Sequence, residues 1–154
     1  MESFQVIEAG EGIERAILRK LGLCGKKRSA GYAGAALLVV SPAAVAHGIV
    51  LPKACHMALL PGDAGGRGNR LRAASAVSYG LSPRDSLTIS SREEGAMWVA
   101  LQRELVTLGG QVVERQEFCV ALEPEIEELS TLAVVGALIL LGVEPEKLER
   151  GAAR

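Results

Sequence analysis

Three short, largely apolar runs, each stopped by turn residues, constrain this chain more than any other feature. Ala35 to Val40 ends at Ser41-Pro42, Cys55 to Leu60 ends at Pro61-Gly62-Asp63, and Ala74 to Tyr79 ends at Gly80. Runs of this kind suit strands of a parallel sheet buried on both faces, because a strand with one wet face alternates instead. Segments 42–54 and 64–73 are then crossovers, the first Ala-rich and partly helical, the second a loop. Ser86-Leu87-Thr88-Ile89-Ser90 does alternate, which predicts a strand with one wet face.

The flanking segments read as helices and a hairpin. Ile13, Ile17, Leu18 and Leu21 share a face over 11–22, with Glu11 and Glu14 at the positive end of the dipole, and Gly22 and Gly25 as stops. Segments 97–106 and 111–120 surround Leu108-Gly109-Gly110, a hairpin pattern. Glu123-Pro124-Glu125 opens a helix running to about 141, with Pro124 near its first turn and Gly142 just past its end. That helix is apolar on nearly every face, so it has to be buried on most sides. A last short helix starts at Glu144-Pro145-Glu146-Lys147. The 154 residues suit a single α/β domain: a small Rossmann-like parallel sheet, extended by antiparallel strands and closed by the 125–142 helix.

Composition excludes several classes of function. Hydrophobic residues at 49% and charged residues at 23% rule out a disordered chain, and a net charge of −1 carries no nucleic-acid or membrane-surface signature. Aromatics at 3% leave little for base- or sugar-stacking. Cys24, Cys55 and Cys119 are odd in number and form no C-x-x-C pair, as in a reducing cytoplasm. A competing reading takes Lys26-Lys27-Arg28 and the apolar stretch 30–51, with Ala44-Val45-Ala46, as an export signal or membrane span. Ser41-Pro42, His47 and three glycines within that stretch argue against it.

The order of motifs after residue 55 resembles the central domain of Mur ligases, the ATP-dependent amide ligases of peptidoglycan synthesis, and of folylpolyglutamate synthetases. The residues that carry the likeness are Val77-Ser78-Tyr79-Gly80-Leu81-Ser82, the strand and hairpin that follow, Leu132-Ala133-Val134-Val135-Gly136-Ala137, and Leu141-Gly142-Val143-Glu144-Pro145-Glu146. Leu59-Leu60-Pro61-Gly62-Asp63 stands where that family has an Asn-x-Asp-Asp-Pro strand end. The resemblance covers roughly residues 55–150 and implies a Mur-ligase-like fold. It does not imply ligase chemistry, because the family's G-T-x-G-K-T phosphate loop has only Gly22-Leu23-Cys24-Gly25-Lys26-Lys27 as a counterpart. Lys27 stands where a hydroxyl must bind Mg²⁺, and a protonated Lys has no lone pair to offer. Ile126-Glu127-Glu128-Leu129-Ser130 replaces the family's nucleotide-binding His-Asn-x-x-Asn.

Ligand candidates concentrate in two loops at the carboxyl edge of the expected sheet. Gly62, Asp63, Gly65, Gly66, Arg67 and Arg70 combine flexible main chain with guanidinium groups, and Ser82 and Asp85 follow the next strand. Asp85 fits a turn or cap role better than a ribose or metal site. Gly25, Lys26 and Lys27 form a weaker anion candidate. His47, His56 and the cysteines lack ligand spacing, so no metal, cofactor or nucleophilic triad is expected. The expectation is a non-catalytic cytoplasmic protein on a Mur-ligase-like scaffold without a working P-loop. Its expected partners are a small anionic ligand or another protein, a second copy of the chain included, with no nucleic acid and no membrane. The alternatives are a nucleotide-dependent ligase or transferase using another loop, and an exported or anchored protein.

Overall fold

The computed structural model describes residues 4–23, 36–46, 54–62 and 72–150. In chain order they form strand β1 (Phe4–Ile7), helix α1 (Ile13–Leu23), β2 (Leu37–Val40), helix α2 (Pro42–Ala46), β3 (Ala54–Pro61) and β4 (Arg72–Gly80). There follow β5 (Leu87–Glu93), β6 (Ala96–Leu101), β7 (Leu105–Val106), β8 (Val112–Val113), β9 (Gln116–Ala121) and helix α3 (Glu128–Leu140). One seven-stranded sheet has the order β1-β2-β3-β4-β5-β6-β9, and β7 and β8 pair separately. Neighbours from β1 to β5 are parallel; β5-β6 and β6-β9 are antiparallel. The expected α/β class, with a Rossmann-like parallel sheet extended by antiparallel strands, is what the chain adopts.

Burial explains the first apolar run and most of the second, whereas β4 departs from the expected doubly covered strand: Val77 and Tyr79 are buried but Ser75 and Ala76 are exposed. All four residues of β2 are buried, Leu37 and Val39 under the helices and Leu38 and Val40 beneath α2 on the opposite face. A strand covered on both sides needs no polar alternation. This same segment belonged to the membrane-span reading, and it is a sheet strand followed by a short helix. Among the described residues no helix is long and apolar enough to cross a membrane.

Helix α3 lies across β2 to β5 with α1 alongside, and every residue from Leu132 to Leu141 is buried within the chain itself. The all-round apolar pattern therefore reflects intrachain burial rather than an unpartnered face. Its start differs from the expectation near Glu125. The Ile126 N–H donates to the Glu123 carbonyl at 3.1 Å, so Pro124 sits in a turn and Ile126 packs on the core before the helix begins. Its end agrees: Gly142 has φ +103° and its N–H donates to Ile139 O, while Val143 N–H donates to Leu138 O.

At Gly136 the helix comes so near the sheet that an added Cβ would lie 3.0 Å from Leu59 Cδ2 and 3.4 Å from Leu87 Cδ2. Gly136→Ala gains about 1 kcal/mol of helix propensity but overpacks two fully buried leucines, which costs about 1–3 kcal/mol. The expected net result is a loss of about 1 kcal/mol in chemical denaturation; a gain in stability would show that the helix can lift off the sheet.

The hairpin is more elaborate than expected. Ala96 to Leu101 pair with Ala121 to Gln116, and beyond them the small β7-β8 ribbon carries the Gly109-Gly110 turn. Beyond β9, Arg150 N–H donates to Cys119 O, and its guanidinium pairs with Glu93 at 3.1 Å. The Trp98 indole N–H first, and Arg150 second, hold the Glu93 carboxyl below its usual range.

Arg19 on α1 pairs with Glu123 and holds its carboxyl below the ordinary carboxylate range. A depressed folded pKa makes this contribution present above the unfolded pKa and lost as pH falls through the folded one. Both groups are partly exposed, so the pair is worth less than about 1 kcal/mol. Arg19→Ala should be slightly less stable than the parent near pH 7, and the two should converge in acid, as pH falls below the ordinary glutamate range. A difference that persists in acid would assign the effect to packing of the Arg19 stem.

Candidate functional site

In a parallel sheet, the loops after successive strands gather along one edge, and a helix that starts there aims its free N–H groups at any bound anion. Ligand crevices in such sheets usually open where strand order reverses. Here the order runs straight from β1 to β5, so no reversal opens a crevice. What remains is the set of main-chain donors along the edge, and in-chain oxygen atoms take them up.

The first set belongs to Glu8-Ala9-Gly10-Glu11-Gly12, between β1 and α1. Gly10 and Gly12 have φ of +79° and +82°, the left-handed turn that lets the chain reverse within five residues. The Glu8 carboxylate accepts the Ile13 N–H at 2.9 Å and the Glu14 N–H at 3.0 Å, filling the N-terminus of α1. Glu11 accepts the Ala9 N–H and, across to the next junction, the Ala43 N–H at 3.1 Å. Ser41 Oγ accepts the Ala44 N–H at 3.0 Å as the cap of α2. The sequence reading missed this loop because β1 is only four residues long. The readable signal was a strand-like Phe4-Gln5-Val6-Ile7 followed by two alternate glycines and a periodic helix.

The second set lies between β4 and β5. Parallel neighbours normally need a crossover of a dozen residues or more. This pair manages with 81–86 because only Tyr79 with Leu87 and Gly80 with Thr88 are in register, so β5 starts beside the end of β4 and runs on past it. Asp85 makes the jog possible. Its Oδ2 accepts the Ser82 N–H at 3.0 Å, and its own N–H donates to Ser82 O at 3.0 Å. Gln102 Nε2 donates to Asp85 O at 2.7 Å and to Ser82 O at 3.1 Å, and Arg103 donates to Arg84 O. The Asp85 side chain is 4% exposed and lies against the glycines that end β3 and β4. A Cβ on Gly62 would stand 2.7 Å from Asp85 Cγ and nearer still to its Oδ1, and one on Gly80 would stand 3.2 Å from Cγ.

The structure thus brings Gly62, Ser82 and Asp85 together at the carboxyl edge. Ser82 is exposed, while Asp85 serves the turn. Asp63, Gly65, Gly66, Arg67 and Arg70 lie outside the described residues, as do Gly25, Lys26 and Lys27. The last three follow the C-terminus of α1, an end that presents carbonyls rather than N–H groups. Burial pushes the Cys55 thiol up, away from the reactive thiolate. No group of three or more His, Cys, Asp or Glu among the described residues is placed to hold a metal ion.

The arrangement is chemically self-contained: three carboxylates of the chain, Glu8, Glu11 and Asp85, take main-chain N–H groups at three points of one edge. Neither a protein-family model nor a curated protein matches this sequence.

Proposed function

We propose that this protein is a non-catalytic cytoplasmic scaffold on a Mur-ligase-like plan, acting through contacts with other proteins rather than through nucleotide turnover. The observation that carries the reading is the Glu8 carboxylate on the N–H groups of Ile13 and Glu14, at the strand–loop–helix junction where a phosphate loop would sit. A phosphate loop needs Lys and then Ser or Thr after its last glycine. Gly12 is followed instead by Ile13, fully buried, and Glu14. A phosphate charge brought to about 4 Å from Glu8 would meet a repulsion of about 4 kcal/mol at an effective dielectric of 20. The Mur-ligase likeness draws support from the order β4, jog, β5, hairpin and α3, closing on the Gly142 turn and the single-turn helix Pro145–Lys147.

Thermal unfolding with millimolar ATP and Mg²⁺ tests the reading. A ligand at a hundred times its Kd contributes about 2.7 kcal/mol, a shift of about 5–11 °C for a chain of this size. The expected shift is none. A saturable rise with ATP would overturn the proposal and favour a nucleotide-dependent transferase using another loop.

A further inference from the structure

The large sheet ends at β1 on one side and at β9 on the other. An edge strand offers a row of unpaired N–H and C=O groups, a template for strand addition unless something blunts it. β1 is only four residues long, which limits what can pair there, whereas β9 has six residues with Glu117 as its one charge. In an antiparallel pair, alternate residues exchange both main-chain bonds with the neighbouring strand, and the residues between them turn both groups away. Leu122 N–H donates to Gly95 O, and Cys119 O accepts from outside the sheet, so Glu117, Cys119 and Ala121 are the outward set of β9. One of their groups is taken: Arg150 N–H donates to Cys119 O at 2.6 Å. The Arg150 guanidinium is tied down as well, 3.1 Å from a Glu93 carboxylate that also accepts the Trp98 indole N–H at 2.9 Å. Leu148 packs on the core and anchors the segment just before it. The remaining outward groups of β9 have no main-chain partner.

We infer that Arg150 is a clasp on the β9 edge, and that its release lets this edge pair with the same edge of a second copy of the chain. Two identical strands related by a two-fold axis run antiparallel, and each contact occurs twice. With the axis at Cys119, that residue meets its own counterpart, and Glu117 of each copy meets Ala121 of the other. The outward groups then face one another and no like charges are opposed. This self-matching favours a second copy over an unrelated strand. The pairing needs Cys119 O as an acceptor, the atom that Arg150 N–H occupies, so clasp and pairing exclude one another. The inference does not rest on the proposed function, since the β1–α1 junction and β9 lie at opposite edges of the sheet.

Sedimentation velocity of the intact protein over a wide concentration range tests it. The parent should stay monomeric. Arg150→Pro removes the main-chain donor and the guanidinium together, and should form a dimer as concentration rises. In that background Ala121→Lys, at an exposed position, sets an ammonium against Glu117 twice per dimer and should tighten association about two- to thirtyfold. Ala121→Glu sets like charges there and should weaken it by about as much. Amide hydrogen exchange gives a reading that needs no variant: in the parent the Arg150 amide should be protected, and Glu117 and Ala121 should exchange faster than Phe118 and Val120. A parent that dimerises unaided, an Arg150→Pro variant that stays monomeric, equal association of the two Ala121 variants, or an unprotected Arg150 amide would each overturn the proposal.

Discussion

Gly62→Ala is expected to lower stability by about 3 kcal/mol, near the top of the range for overpacking a buried site, which corresponds to about 6–12 °C in Tm. The backbone there is not in the left-handed region, so alanine meets no conformational strain; the whole penalty comes from the new methyl against the Asp85 carboxylate. That carboxylate cannot swing aside cheaply, because it holds the Ser82 N–H and is 4% exposed. Asp85→Ala alone leaves the Ser82 donor without its partner and should cost about 1–3 kcal/mol. In the Asp85→Ala background, Gly62→Ala should cost less than about 1 kcal/mol, a coupling of about 2 kcal/mol. Equal penalties in the two backgrounds would remove Asp85 from the explanation, and with it the account of how β5 follows β4 through six residues.

The second large effect is at the other end of the edge. Glu8→Ala should cost about 2 kcal/mol, because two main-chain donors at the N-terminus of α1 lose a charged acceptor. The same deletion empties an anion position, so sulfate at tens of millimolar should restore part of the loss in the variant beyond its general effect on the parent protein. Glu8→Gln, which keeps an acceptor without the charge, should fall between the two. If Glu8→Ala unfolds like the parent, or sulfate raises both by the same amount, the carboxylate is not standing in for a bound anion. The proposed function would then lose its main support.

Particular residues show how far the chain could be read without coordinates. Leu37 to Val40 and Met57 to Leu59 announced their burial because a strand covered on both faces leaves no room for polar alternation, whereas in β4 only Val77 and Tyr79 are buried and Ser75 and Ala76 are exposed. Gly142 and the apolar face of α1 were legible for the same kind of local reason. Phe4–Ile7 was not, since four residues at a sheet edge hold too little periodicity to be told from a leader. The start of α3 was misplaced because Pro124 and the glutamates fit a helix start and a turn equally well, and packing of Ile126 chose the turn.

At the candidate site, sequence alone placed Gly62, Ser82 and Asp85 on one edge and favoured Asp85 as a turn residue. It did not find Glu8 and Glu11, because the donors they satisfy become free only once β1 is paired and α1 begins.

Residue order by itself determined which segments go inside and where the chain turns, since burial preference and glycine or proline conformation act over a few neighbouring residues. Which acceptor meets which main-chain donor was settled by the assembled sheet and helices. That pairing depends on distances between loops 8–12, 41–43, 62 and 81–86, which are far apart in the chain and adjacent only because their strands lie side by side.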